Sequence, residues 1–148
     1  MKFTTKTRYG LRTMIELAMP DRDKGILQKD ISKNQNISMK YLDHIVAHLK
    51  AAGLIINVAG KKSGYRLAKN ADRISVYDIY RAFDHDLSII DCLSEEGLCR
   101  RDKKCAAREF WDKLNKRIIN YMDSVMLSDL SDKQHQLGVI DTDCMYYI

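Results

Sequence analysis

The sequence predicts a mainly α fold with one small β-hairpin, closed by a long C-terminal helix. Three observations carry that expectation. Three helical patterns, two of them opening on Thr or Ser cap residues, occupy the first part of the chain. Two strand-like runs around a turn rich in Gly and Lys follow them. The strongest helical signal of the chain then fills residues 103–127.

Taken in order, Thr4 or Thr5 can cap a first helix whose apolar positions Tyr9, Leu11, Met14, Ile15 and Ala18 recur at three- and four-residue spacing. Pro20 disfavours helical geometry at Met19, so the helix ends there. After a polar turn at 21–25, a short helix from about Leu27 to Lys33 sets Leu27 and Ile31 on one face. Asn34, Gln35 and Asn36 break it. Ser38 caps a third helix with Leu42, Ile45, Val46 and Leu49 on its apolar face, and Gly53 stands where a helix C-terminus favours glycine. The runs 54–58 and 65–67, separated by 59–64, read as a hairpin.

Ser75 and Asp78 form a capping pair for a helix over 76–83. Residues 84–104 lack periodicity and hold three cysteines. In the last strong helix, Trp111, Leu114, Ile118, Tyr121, Met122 and Val125 make a single seam. Some 22 helical residues span roughly 33 Å. A helix of that length with one apolar stripe packs against another long helix. The remaining tail offers Cys144 and the apolar Met145, Tyr146, Tyr147 and Ile148.

The 148 residues fit one compact domain with an appended element. The divisions expected are 1–70, 71–104, 105–130 and 131–148. A hydrophobic share of 45% against 30% charged residues is a globular balance. No window approaches about 18 consecutive apolar residues, and the start lacks a signal peptide's apolar core, so a cytoplasmic protein is expected. The charge is split. Residues 1–70 carry 14 Lys and Arg against 5 Asp and Glu, a balance of +9, whereas 71–148 carry 11 against 15, a balance of −4. All four cysteines lie in the acidic part.

Three helices followed by a hairpin is the order of a winged helix-turn-helix. With its apolar face buried, the third helix shows Lys40, His44, Ala47 and His48 on the opposite side, and Ser38, Lys40 and Tyr41 lie near its N-terminus. Backbone N–H groups there favour phosphate, and side chains reach base edges. Lys61, Lys62 and Arg66 place cations at or near the hairpin tip, where a wing touches the DNA backbone. Double-stranded DNA is the expected partner.

Cys92, Cys99 and Cys105 fall within 14 residues. In a chain without an export signal, structural disulfides are disfavoured, leaving metal or iron–sulfur ligation, thiol redox sensing or unligated loop cysteines. Asp102 can cap the long helix, which puts Cys105 in its first turn, where the helix dipole stabilises thiolate. Arg100, Arg101, Lys103 and Lys104 add positive charge. No Gly-rich phosphate loop or HExxH motif appears, so an enzyme is not expected.

Residues 1–10, Asp30-Ile31-Ser32, Ile37-Ser38, Tyr41-Leu42, Gly53-Leu54 and Ser63-Gly64-Tyr65 stand where the Rrf2 family of bacterial winged-helix transcriptional regulators carries such residues. The three cysteines followed by Phe110-Trp111-Asp112-Lys113-Leu114 are similar to the cluster loop and dimerisation helix of its iron–sulfur cluster regulators. The resemblance implies a homodimer, its long helices crossing and two winged domains reading a two-fold related DNA site. It also implies an iron–sulfur cluster, two-iron by this likeness, held by Cys92, Cys99 and Cys105.

The chain departs from that pattern at the fourth ligand. The branch has His three residues after the third cysteine, where this chain has Arg108. Related nitric-oxide sensors use an acidic residue of the partner's first helix, where this chain has Arg8. Asp91, Asp102, His85, His135, Cys144, water or a small thiol are the remaining donors for that position. A cluster-free branch of the same family, which senses cysteine metabolism through a partner protein, is the alternative.

Overall fold

The computed structural model describes residues 3–58, 60, 64–94 and 104–144, with side chains described as far as residue 138. The chain runs α1 (Thr5–Ala18), β1 (Ile26–Leu27), α2 (Gln28–Gln35), α3 (Met39–Ala51), β2 (Ile55–Asn57) and β3 (Gly64–Leu67). A short 3-10 turn (Ala71–Arg73) leads to α4 (Val76–Arg81), α5 (Asp91–Ser94), α6 (Ala106–Ser124) and α7 (Leu127–Cys144). This is a mainly helical winged fold with a three-stranded antiparallel sheet ordered β1–β3–β2.

The caps set the helix starts. Thr4 accepts a hydrogen bond from the Thr7 amide, Ser38 from the Tyr41 amide, and Ser75 with Asp78 closes a reciprocal capping box. Asn36 takes the left-handed conformation (φ 52°) that ends α2 two residues later than the sequence pattern suggests. Gly53 (φ 69°) ends α3, with the Leu54 amide donating back to Leu49 O at 3.0 Å.

One core joins the first three helices to the sheet. Met14, Ile31, Leu42, Ile45, Leu49 and Ile74 are fully buried within it. Each such Leu or Ile side chain stabilises the fold by about 1.5–3 kcal/mol. The strip of α1 facing this core contains Thr13, Glu16 and Leu17 beside Met14, while Tyr9, Leu11, Ile15 and Ala18 are only partly buried. Glu16 is the organising polar group. Its Oε1 accepts from Arg22 Nη2 at 3.0 Å and Asn34 Nδ2 at 2.9 Å, and its Oε2 accepts from Gln35 Nε2 at 2.8 Å. One carboxylate thus ties α1 to the turn that follows it and to the C-terminal end of α2.

Three features depart from the sequence reading. The segment at Ile26–Leu27, expected to begin a helix at Leu27, is a strand paired with β3 (Ile26 opposite Tyr65). The single long helix expected over 103–127 is α6, which ends at Ser124; Val125 is extended. Two backbone bonds cause the break: Val76 N–H donates to Val125 O at 2.9 Å, and Leu127 N–H to Ile74 O at 2.8 Å. The chain then restarts as α7, whose Asp129 side chain accepts from the Met126 amide. Residues left without structure in the sequence reading of the tail belong to this helix, which packs on α1 and the 3-10 turn.

The third departure is the seam of α6. It is split between two faces. Met122 is buried against Tyr80 and Leu87, with Ile118 and Ile119 beside it. Trp111 and Tyr121 are exposed, as is Phe110, which packs edge-on to Trp111 with centroids 5.0 Å apart.

Candidate DNA-binding surface and cysteine site

The helix-turn-helix is α2 and α3, with β2 and β3 as the wing. On α3, Ser38, Lys40, His44 and Ala47 are exposed, as the amphipathic pattern requires. Tyr41 and His48 are turned partly inward. The Tyr41 ring meets Tyr9 of α1 edge-on at 5.7 Å, and Arg12 lies over the other ring of that pair, 5.3 Å from the Tyr9 centroid. Arg12 also donates to Gln35, through Nε to Oε1 at 3.2 Å and through Nη2 to the backbone carbonyl. Arg12 was not singled out from sequence; its exposure beside the α2–α3 turn adds a cation to this surface.

His48 stacks on Phe83 (centroids 5.5 Å apart), and its Nδ1 lies 2.7 Å from His44 O. Phe83 in turn lies against Gly10 so closely that a Cβ there would be 2.2 Å from its ring. Only glycine admits this contact. The Thr7 hydroxyl, one turn earlier on α1, donates to Asp84 at 2.8 Å. The start of the segment after α4 is therefore clamped to α1 and α3 together.

The base of the wing is fixed by a second polar group. Tyr65 OH donates to Gln28 Oε1 at 3.2 Å, and Gln28 Nε2 donates to Asp43 of α3. Burial, with Asp43 adding to it, pushes the Tyr65 phenol up from its usual range, which keeps it a donor. Arg66, next along β3 and opposite Ile56, points into solvent. Lys61 and Lys62 lie outside the described residues.

The cysteines occupy the other end of the same segment. Cys92 is in α5, and Cys105 is the N-cap of α6, one residue before the helix rather than in its first turn. Both thiols are half-buried and free, and α5 packs on α6. Asp102 and Cys99 lie outside the described residues, and so does the side chain of Cys144. Arg108 of α6 donates from Nε to Cys92 O at 3.2 Å. Asn115, two turns further on, donates to Leu87 O at 2.8 Å and accepts from Ile89 N–H at 3.0 Å.

Among the described residues no three His, Cys, Asp or Glu side chains converge as a metal site. The donors that are described still suit a thiolate-held iron centre. Two half-buried thiols, both soft ligands, sit on packed elements, one in α5 and one at the N-cap of α6.

A helix-turn-helix with a basic wing and an appended helix bearing thiols defines a winged-helix transcriptional regulator. The chain belongs to the Rrf2 family of iron-dependent transcriptional regulators, whose model matches residues 3–133. It is 32% identical over 141 residues to the HTH-type transcriptional regulator IscR of Yersinia pseudotuberculosis, covering 95% of this chain and 85% of that one. The IscR of Xenorhabdus nematophila matches to the same extent. Among solved structures, CymR, the global cysteine regulator of B. subtilis, is similar with a TM-score of 0.76 at 32% identity, over 89% of this chain and 97% of that one. IscR of T. potens follows with a TM-score of 0.72 at 29% identity, over 90% and 88%. The Yersinia and Xenorhabdus relatives are named as transcriptional regulators, not enzymes. Among the described residues no helix is long and apolar enough to cross a membrane.

Proposed function

We propose that this chain is a cytoplasmic transcriptional regulator that binds DNA as a homodimer and changes its DNA affinity with the state of an iron–sulfur cluster held by Cys92, Cys99 and Cys105. The observation that carries the proposal is the placement of residues 83–92. Phe83 and Asp84 rest on α3 and α1 at one end, and Cys92 lies against α6 at the other. Eight residues thus separate the thiol of Cys92 from Phe83, which rests on the recognition helix.

When bound, the cluster supplies a redox-active iron centre that iron supply, oxygen or nitric oxide can alter. The chain's own residues do the rest. Cys92 of α5, Cys99 and Cys105 at the N-terminus of α6 would hold the cluster. With that tether lost, residues 85–92 gain freedom and Phe83 holds His48 less firmly. A differential binding of a few kcal/mol between the two states is enough for regulation. Of the donors named above, Cys144 is one for the fourth iron position, and water or a small thiol another.

In the DNA complex, Ser38 and the α3 N-terminus take phosphate, Lys40 and His44 face base edges, and Tyr41 and His48 flank them. Lys61, Lys62 and Arg66 contact the backbone from the wing. The exposed Phe110, Trp111 and Tyr121 of α6 form the face that a second copy covers. Replacing Lys61 and Lys62 together by Ala should weaken binding to all DNA sequences alike. It should also reduce the slope of log affinity against log salt by about 2, as read by fluorescence anisotropy across a salt series. An unchanged slope takes the wing off the DNA.

One observation favours a second reading, a cluster-free regulator similar to CymR. Arg108, whose guanidinium cannot ligate iron, stands where the iron–sulfur branch places His. Iron and acid-labile sulfide in protein purified without oxygen separate the two. A colourless, iron-free protein with intact thiols supports the second, and zinc without sulfide supports a structural metal.

A further inference from the structure

The face of α6 that packs on its own chain carries two polar side chains where an apolar stripe is the norm. Arg108 and Asn115 are seven residues apart, with the buried Met122 seven further on, so all three share one side of the helix. All their described hydrogen bonds to the loop go to backbone. Asn115 uses its amide in both directions, donating to Leu87 O at 2.8 Å and accepting from Ile89 N–H at 3.0 Å. It serves this stretch as a neighbouring strand would. Three residues later Arg108 Nε holds Cys92 O at 3.2 Å. Neither pair is dictated by burial of apolar surface; both fix where the backbone carrying Cys92 runs.

We propose that Arg108 and Asn115 are positioning residues for the thiol site. Together they hold residues 87–92 on α6 so that Cys92 is presented beside the α6 N-terminus, where Cys105 is the cap. The proposal rests on the reading of these cysteines as metal ligands. A planar guanidinium fixed by packing supplies a directed N–H that a flexible backbone would otherwise offer to water. Without the two side chains, Leu87 O, Ile89 N–H and Cys92 O lose their partners, and the thiols must be ordered at the expense of metal binding. Outer-shell groups of this kind change metal affinity by roughly 10–100-fold when removed.

The test uses the full chain, stripped of metal and titrated with Co2+ under anaerobic conditions, with the sulfur-to-cobalt charge-transfer absorption as readout. Arg108→Ala and Asn115→Ala should each weaken Co2+ binding by about 10–100-fold. Arg108→Lys, which keeps one donor, should recover most of the loss. Cys92→Ala and Cys105→Ala should remove the absorption altogether. Arg108 lies at the half-exposed start of α6, so Arg108→Ala carries the test should Asn115→Ala fail to fold. A thiolate absorption in the wild type that neither variant weakens overturns the positioning role alone. No thiolate absorption in the wild type overturns the metal-ligand reading and the positioning role with it.

Discussion

Protein purified without oxygen is expected to lose its iron, its acid-labile sulfide and its visible absorption when Cys92, Cys99 or Cys105 is replaced by Ala. The loss should be complete for each variant, because a cluster held by three protein thiolates has no spare ligand. Cys92 and Cys105 are both free and half-buried, Cys92 in α5, which packs on α6, and Cys105 at the N-cap of α6. Neither belongs to the main core, so their removal leaves the winged domain folded, and circular dichroism should be unchanged. Cys144→Ala divides the fourth-ligand options: a lost or shifted spectrum assigns that position to Cys144, and an unchanged one excludes it and leaves Asp91, Asp102, His85, His135, water or a small thiol. Full absorption in all three of the other variants excludes the ligand set.

The second large effect is expected at Glu16, far from the cysteines. Glu16→Leu leaves Arg22, Asn34 and Gln35 without their shared acceptor, in a place where the carboxylate is about nine-tenths buried (10% exposed). Arg22 is a third exposed, so water recovers part of the loss on that side. A destabilisation of about 2–4 kcal/mol follows for the three donors together. At this chain length thermal unfolding reads that as a midpoint fall of roughly 2–4 °C per kcal/mol. Glu16→Gln keeps one acceptor oxygen and should cost less than half as much. A Leu variant as stable as the wild type means that the α1–α2 junction is held by apolar packing alone.

The winged half was legible in the sequence because its determinants are local. Ser38 with Leu42, Ile45, Val46 and Leu49 specifies α3, and Ser75 with Asp78 specifies the start of α4; both caps and burial patterns are present. What was not legible depends on distant partners. Ile26–Leu27 is a strand only because β3 lies beside it, and Val125 leaves the helix only because residues 74–76 take its backbone. Periodicity cannot register either pairing. The α6 seam showed a similar limit: its apolar positions were found, but whether Trp111 and Met122 face the same neighbour is decided by Tyr80 and Leu87.

At the sites, residue chemistry pointed to the exposed cations of α3 and to the cysteines. It did not point to Glu16, Phe83 or Asn115, whose roles come from burial and from backbone groups brought in from elsewhere in the chain. His48 illustrates the difference. Its spacing places it with His44, yet its ring lies on Phe83 and so joins the recognition helix to the segment that ends at Cys92.

That junction is the centre of the account, and DNA affinity measured on one preparation before and after removal of its iron tests it most directly. The probe is a two-fold DNA site selected from random sequence by the iron-loaded protein, held at constant salt. A change in affinity of at least about tenfold, equivalent to 1.4 kcal/mol of coupling, is predicted. Equal affinity in the two states, with iron loss verified and the fold intact, contradicts it.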